Sequence, residues 1–217
     1  MKPLMGAVKT ATGAPLKAPT RRAMAKQQTR QRVLAAARRL FSEQGYEGAT
    51  IRDIAAAAGM STGAVFANFS DKADLFREIM IVDMGRLAEL MRDAAAQGEN
   101  VEDVLLRIFG AGYAFYQGQL PLARAAFSVG WSPDEGKALR TEPATQVLRD
   151  IIRSALADGQ ARGELIDDPQ FEIRARMLYD CYLSNYIEAV FGASSLNALQ
   201  NKAREQIRIL LASARRS

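Results

Sequence analysis

TIRDIAAAAGMSTGAVFANFSDK, residues 50–72, is the stretch that decides how the rest of the chain is read. Thr50 is placed to cap a short helix, and Asp53 stands three residues on, where a capping box carries its acid. Ile51, Ile54, Ala55 and Ala58 would form the inward face of that helix. Gly59-Met60-Ser61 reads as a tight turn, with Ser61 capping a second helix over residues 62–69. Ser70-Asp71-Lys72 then starts a longer helix.

Two short helices joined by a turn form a helix-turn-helix unit. In such units the first helix braces and the second lies in the DNA major groove, about 12 Å wide, with its N-terminal residues at base edges. Close approach needs small side chains there, and Ser61, Thr62, Gly63 and Ala64 are all small.

Working outward, the preceding helix is expected to start at Thr29, to bury Val33, Leu34, Ala37, Leu40 and Phe41, and to end at Gly45. Residues 1–28 mix Pro, Gly, Ala, Thr and Lys without an apolar period and read as a disordered basic arm, with Met24 an alternative start. After Lys72, the residues Leu75, Ile79, Val82, Leu87, Leu90 and Met91 should line the buried side of a long helix closed by Gln97-Gly98-Glu99-Asn100. Further helices are expected over residues 101–117, 120–129, 142–162, 171–191 and 195–214, with a start signal at Ser132-Pro133-Asp134-Glu135. No run of alternating β-branched residues appears, so the fold class is all-α. An N-terminal three-helix helix-turn-helix domain over 29–73 precedes a helical bundle over 74–217.

The 217 residues contain no His and one Cys, which excludes a Ser-His-Asp triad, a Cys-His pair, a His-ligated zinc site and any intramolecular disulfide. No metal and no cofactor is expected. The charge-free stretch between Arg107 and Arg124 is 16 residues long and holds Gln and Pro, short of the roughly 20 apolar residues that span a bilayer. Lys2 and Lys9 have no apolar segment behind them, so no secretory signal is expected and a cytoplasmic location is the default. Residues 1–80 carry 13 basic and 6 acidic side chains, residues 81–217 carry 16 and 18. A basic N-terminal third on a mildly acidic remainder fits a nucleic-acid contact at one end, although the arm alone supplies much of the excess.

In residues 32–76, RVLAAARRLFSEQGYEGATIRDIAAAAGMSTGAVFANFSDKADLF, the positions Phe41, Gly45-Tyr46, Thr50, Asp53-Ile54-Ala55, Ala58-Gly59, Ser61, Gly63, Phe69 and Lys72 to Leu75 fall in one register. The segment 29–80 thereby resembles the DNA-binding domain of the TetR family of bacterial transcriptional regulators. The resemblance implies double-stranded DNA as partner, with Thr50 on a phosphate and Arg52 suited to guanine O6/N7. It places Ser61, Thr62, Gly63 and Ala64 at phosphate and base edges, and Lys72 on a phosphate. Two positions depart from the family's pattern. Phe66 stands where Tyr is usual, keeping the ring without its hydroxyl, and Asn68 stands where His or Tyr is frequent, still able to donate. Each capping residue alone would be structural in any protein; the common register on a basic third gives them a joint meaning.

A two-fold DNA reader needs a dimer face, and the last two helices offer one. Phe171, Ala175, Leu178 and Tyr182 form one stripe; Ile173, Met177, Cys181 and Ser184 form another, so this helix should be buried on two sides. Phe171, Leu178, Ile207, Leu210 and Leu211 are the candidate homodimer contacts. Phe109, Tyr113, Tyr116, Phe127, Trp131, Met177 and Tyr182 are candidates for a pocket, with a packed core as the alternative for each. The resemblance implies a small-molecule effector there, neutral or anionic and apolar or aromatic, that releases a palindromic operator; Arg107 or Arg124 would pair with an anionic group. The competing functions are a DNA-architectural protein without effector control and a helical enzyme, the latter opposed by the missing His and the lone Cys181.

Overall fold

Each of the first four helices starts on a side-chain cap. In the computed structural model, which describes residues 20–115, 117–131, 143–192 and 194–215, α1 spans Arg21–Gly48, α2 Ile51–Ala57, α3 Thr62–Phe66 and α4 Lys72–Ala95. Thr20, Thr50, Ser61 and Asp71 each accept a hydrogen bond from the backbone N–H three residues on, which satisfies one orphan donor per helix start. Then follow α5 (Val101–Phe115), a single 3₁₀ turn (Gln117–Gln119), α6 (Leu120–Trp131), α7 (Pro143–Ala161), α8 (Phe171–Phe191) and α9 (Leu196–Leu211). The described residues form helices and no strand, with one isolated bridge between Leu165 and Arg215.

Two glycines set the turns. Gly45, at φ 75°, kinks α1 near its end, and Gly59, at φ 65°, turns the chain between α2 and α3; both angles favour a residue without Cβ. The expected start at Thr29 is corrected. Residues 21–28 are helical and exposed, so the arm read as disordered over 1–28 is partly the first two turns of α1. They bury nothing and so leave no apolar period, but Arg, Ala, Met, Lys and Gln are good helix formers behind the Thr20 cap. Residues 1–19 lie outside the described residues, as do Tyr116 and the start signal at 132–135.

Two hydrophobic cores follow. The first gathers Val33, Phe41 and Tyr46 of α1, Ile54 of α2, Val65 of α3, Phe69, and Leu75, Phe76, Ile79 and Met80 of α4. It runs past the expected boundary at residue 73 and also takes in Leu122, Ala125 and Val129 of α6. The Phe76 ring sits edge-on to Phe41 and Tyr46, with centroids 5.4 and 5.1 Å away. The second core joins Leu87 and Met91 of α4 to Leu105, Ile108 and Phe109 of α5, Ile152 and Leu156 of α7, Leu178 and Tyr182 of α8, and Ile207 and Leu211 of α9.

The buried face of α4 differs from the expected one. Val82 and Leu90 are exposed, and Asp83 is fully buried. The reason is an ion pair. Arg38 of α1 donates to Asp83 Oδ1 at 2.5 Å and to Gln119 Oε1, before α6, at 2.8 Å. This turns Met80, Asp83, Leu87 and Met91 inward on one face, at spacings of three and four residues.

Candidate nucleic-acid interface

The exposed face of the helix-turn-helix unit is built from small and polar residues. Thr50, Arg52, Ser61, Thr62, Gly63 and Phe66 are exposed, and Ala64 is half-buried, while Val65 points into the first core at full burial. Thr62, Gly63 and Phe66 share one side of α3, three and four residues apart. Thr50 Oγ1 accepts from Asp53 N at 3.2 Å and donates to its carboxylate at 2.5 Å, so the cap is closed as the spacing suggested. Arg52 makes no hydrogen bond or ion pair among the described residues, and its guanidinium is available.

Several other polar groups are already committed. Arg30 donates to the Asn68 carbonyl at 2.8 Å, pairs with Glu78 at 2.6 Å and covers the Phe69 ring. Arg32 donates to the Ala58 carbonyl at 2.6 Å, clamping the turn. Lys72 donates to the Tyr46 carbonyl at 2.9 Å with its ammonium 4.2 Å from that ring's centre. It keeps donors for a phosphate but also braces α4 on α1. Asn68 is the correction here. Its amide nitrogen donates back to the Ala64 carbonyl at 3.0 Å, and its Oδ1 is buried without a hydrogen-bond partner, so the side chain turns onto α3 rather than outward.

The residues expected to form a pocket separate. Phe109, Tyr113 and Tyr182 are buried in a ring ladder in which Tyr113 and Tyr182 stack at 5.4 Å, as do Tyr182 and Tyr186 at 6.3 Å. The ladder is tight: a methyl on Gly112 would fall on the Tyr182 hydroxyl and the Met91 methyl. Burial pushes the Tyr113 phenol above its ordinary range, although the hydrogen bond from Asn185 at 3.1 Å opposes this. Phe127 packs beside Tyr186 at 5.5 Å. These four are packed core because their rings fill one another's space. Met177 is exposed on the surface of α8. Tyr116 and the Trp131 side chain lie outside the described residues.

The concavities are elsewhere. One of about 570 Å³ lies between α4, α5 and α7, with an apolar floor that includes Val104, Ile151 and Ala155, and exposed Arg92, Asp150, Asp158 and Arg162 around it. A second, of about 710 Å³, lies between α4, α5 and α9 and includes Leu106, Arg107, Ala111, Phe115 and Arg204. Arg107 is paired with Asp103 at 2.8 Å, and Arg124 donates to the Val190 carbonyl at 2.9 Å.

The dimer contacts are corrected in the same way. Leu178, Ile207 and Leu211 are fully buried in their own chain's core and present no surface. Phe171 and Leu210 are half-buried. The outward stripe of α8 is Ile173 and Met177, continued by half-buried Cys181 and exposed Ser184, with Ile209 exposed on α9. Burial raises the Cys181 thiol above its ordinary range, with Asp180 adding to it and Lys202 opposing. Asp168 pairs with Arg174 of α8 at 2.6 Å. Among the described residues no three His, Cys, Asp or Glu gather as a metal site, and no helix is long and apolar enough to cross a membrane.

Comparison with known proteins fits this geometry. Residues 33–79 match the family model described as bacterial regulatory proteins, tetR family. The chain is 46% identical over 179 residues to the HTH-type transcriptional repressor AcnR of Corynebacterium glutamicum, covering 79% of this chain and 86% of that one. It is 26% identical over 155 residues to the HTH-type transcriptional regulator UidR of Escherichia coli, covering 71% and 78%. Among solved structures, FadR of Bacillus subtilis, in complex with stearoyl-CoA, superposes with a TM-score of 0.70 at 18% identity, covering 82% of this chain and 96% of that one. Fold, reader and relatives together define a DNA-binding transcriptional regulator. The chain belongs to the TetR family of bacterial regulatory proteins.

Proposed function

We propose that the chain is a repressor that binds a two-fold symmetric operator as a homodimer and is released by a small, partly apolar effector. The reader is the unit at 29–73, and residues 74–217 form the effector-binding and dimerising body. Thr50, Ser61 and Lys72 meet phosphates; Arg52, Thr62, Gly63, Ala64 and Phe66 face the bases. Asn68 supports α3 from behind. The dimer forms through the outward stripe of α8 around Ile173 and Met177, with Ile209 beside it.

The observation that carries this reading is the membership of α6 in two places. Leu122, Ala125 and Val129 are buried in the reader's core, while Ala123 and Phe127 belong to the core of the body. A packed core does not deform continuously, so a ligand that displaces α6, or α4, which also contributes to both cores, must also move the reader. The concavity between α4, α5 and α7 is the proposed effector site: its apolar floor suits a lipophilic group, and Arg92 at its edge suits an anionic one, Arg162 being paired with Glu164. By linkage, an effector that weakens operator binding by some factor is itself bound more weakly by the same factor when DNA is present.

The test is a reporter gene whose promoter carries a duplex selected by the protein from a random library. Expression of the chain should lower transcription. Compounds that raise its melting temperature should relieve that repression. A rise in transcription on expressing the chain would replace repressor with activator, and repression insensitive to every stabilising compound would remove effector control.

A further inference from the structure

Phe66 and Gly63 are both unexplained by the fold. Among the described residues 20–80, the large apolar side chains left exposed are Met24, at the start of α1, and Phe66, at 55%. Phe66 is the last residue of α3, one turn after Thr62 and Gly63 and on the same side of the helix. Gly63 has helical backbone and open space in front of it: an added Cβ would meet nothing closer than Ser61 Oγ at 3.9 Å. Glycine weakens a helix relative to alanine, and here neither packing nor a turn requires it. What glycine provides is a shallow notch beside the Phe66 ring.

Apart from the Thr62 hydroxyl on α3 and the Arg52 guanidinium on α2, both exposed, the long polar side chains of this unit are engaged. Arg30, Arg32, Lys72 and Asn68 are held by Glu78 and by the carbonyls of Asn68, Ala58, Tyr46 and Ala64. Phe66 itself has no donor for a phosphate. In the major groove the apolar feature that distinguishes one base from the others is the thymine methyl group.

Resting on the reading of α3 as the DNA reader, we infer that Phe66 is a specificity residue that recognises thymine through its C5 methyl. The methyl enters the notch over Gly63 and packs against the ring. Sequence readout at that base pair is apolar, with no hydrogen bond from α3 to the base.

The experiment uses the full chain and a duplex that it selects from a random library. Each thymine of a half-site is replaced singly by uracil, which removes the methyl and nothing else. At one or two thymines per half-site, uracil should lower affinity about fourfold, the value of one methyl withdrawn from water. Phe66→Ala should bind the parent duplex more weakly and lose that uracil sensitivity, because each change removes the same contact. Phe66→Tyr should keep it. Phe66 is exposed, and unchanged far-ultraviolet circular dichroism checks that each variant folds. Equal binding of all uracil duplexes overturns the inference, as does an undiminished uracil effect in Phe66→Ala. Failure to select any duplex overturns the DNA-reader reading and takes this inference with it.

Discussion

Arg38→Ala should be among the costlier single substitutions in the chain. Asp83 has no exposure, while its partner Arg38 is 26% exposed at the side chain. Removing the arginine strands a buried carboxylate whose Oδ2 already has no partner, and it also removes the hydrogen bond to Gln119. Breaking a buried pair in this way costs about 3–5 kcal/mol. Removing the aspartate instead leaves a guanidinium that reaches water and still holds Gln119, so Asp83→Ala should cost less, about 1–3 kcal/mol. The double change Arg38→Met with Asp83→Leu removes both charges and should lie within about 1–2 kcal/mol of the parent. Urea unfolding at fixed protein concentration measures all three. With a slope of about 2–3 kcal/mol per molar, Arg38→Ala should lower the midpoint by about 1–2 M. Equal costs for the two single variants, or a double variant that costs their sum, would refute the asymmetry on which the argument rests.

Other expectations follow from the same contacts. Replacing Ile173 and Met177 together by Glu places two carboxylates on the outward stripe of α8; sedimentation should show monomer in place of dimer, with helical content unchanged. Burial alone would raise the Glu102 carboxyl, but hydrogen bonds from Arg208 and Arg215 outweigh it and hold the group below the ordinary carboxylate range. Its stabilisation is therefore full above the unfolded value of about 4.3 and is lost as the pH falls through the lower folded value. Glu102→Gln should cost about 1 kcal/mol at pH 7 and almost nothing at pH 2–3, read from urea midpoints across that range.

The sequence carried the reader more plainly than the body. Thr50 and Ser61 are short-range signals, each resolved within three residues, and both cap as their spacing suggested. Asp83 had no such signal. Its burial depends on Arg38, 45 residues away, and periodicity alone put Val82 and Leu90 inside instead. On α8 both apolar stripes were visible, but nothing local distinguishes the stripe that packs on its own chain from the one that faces outward. Leu178 belongs to the first and Met177 to the second. The aromatic residues misled in a similar way: polar tips suggested a pocket, whereas Tyr113 finds its partner in Asn185 of α8, itself bonded to Gln206 of α9. Asn68 looked like a donor to DNA because of the position it holds in the family resemblance, whereas its amide nitrogen donates to the Ala64 carbonyl four residues back.

The central claim is that a dimer of this chain reads DNA through α2 and α3. Its most direct test is fluorescence anisotropy of a selected two-fold symmetric duplex titrated with the protein at several salt concentrations, alongside sedimentation of the complex. The account predicts an even number of chains per duplex and at least about a thousandfold preference over unrelated DNA. It also predicts affinity that falls steeply with salt and a slope reduced by about one per half-site in Lys72→Ala. Binding by a single chain, or affinity that unrelated DNA competes away equally, would contradict it.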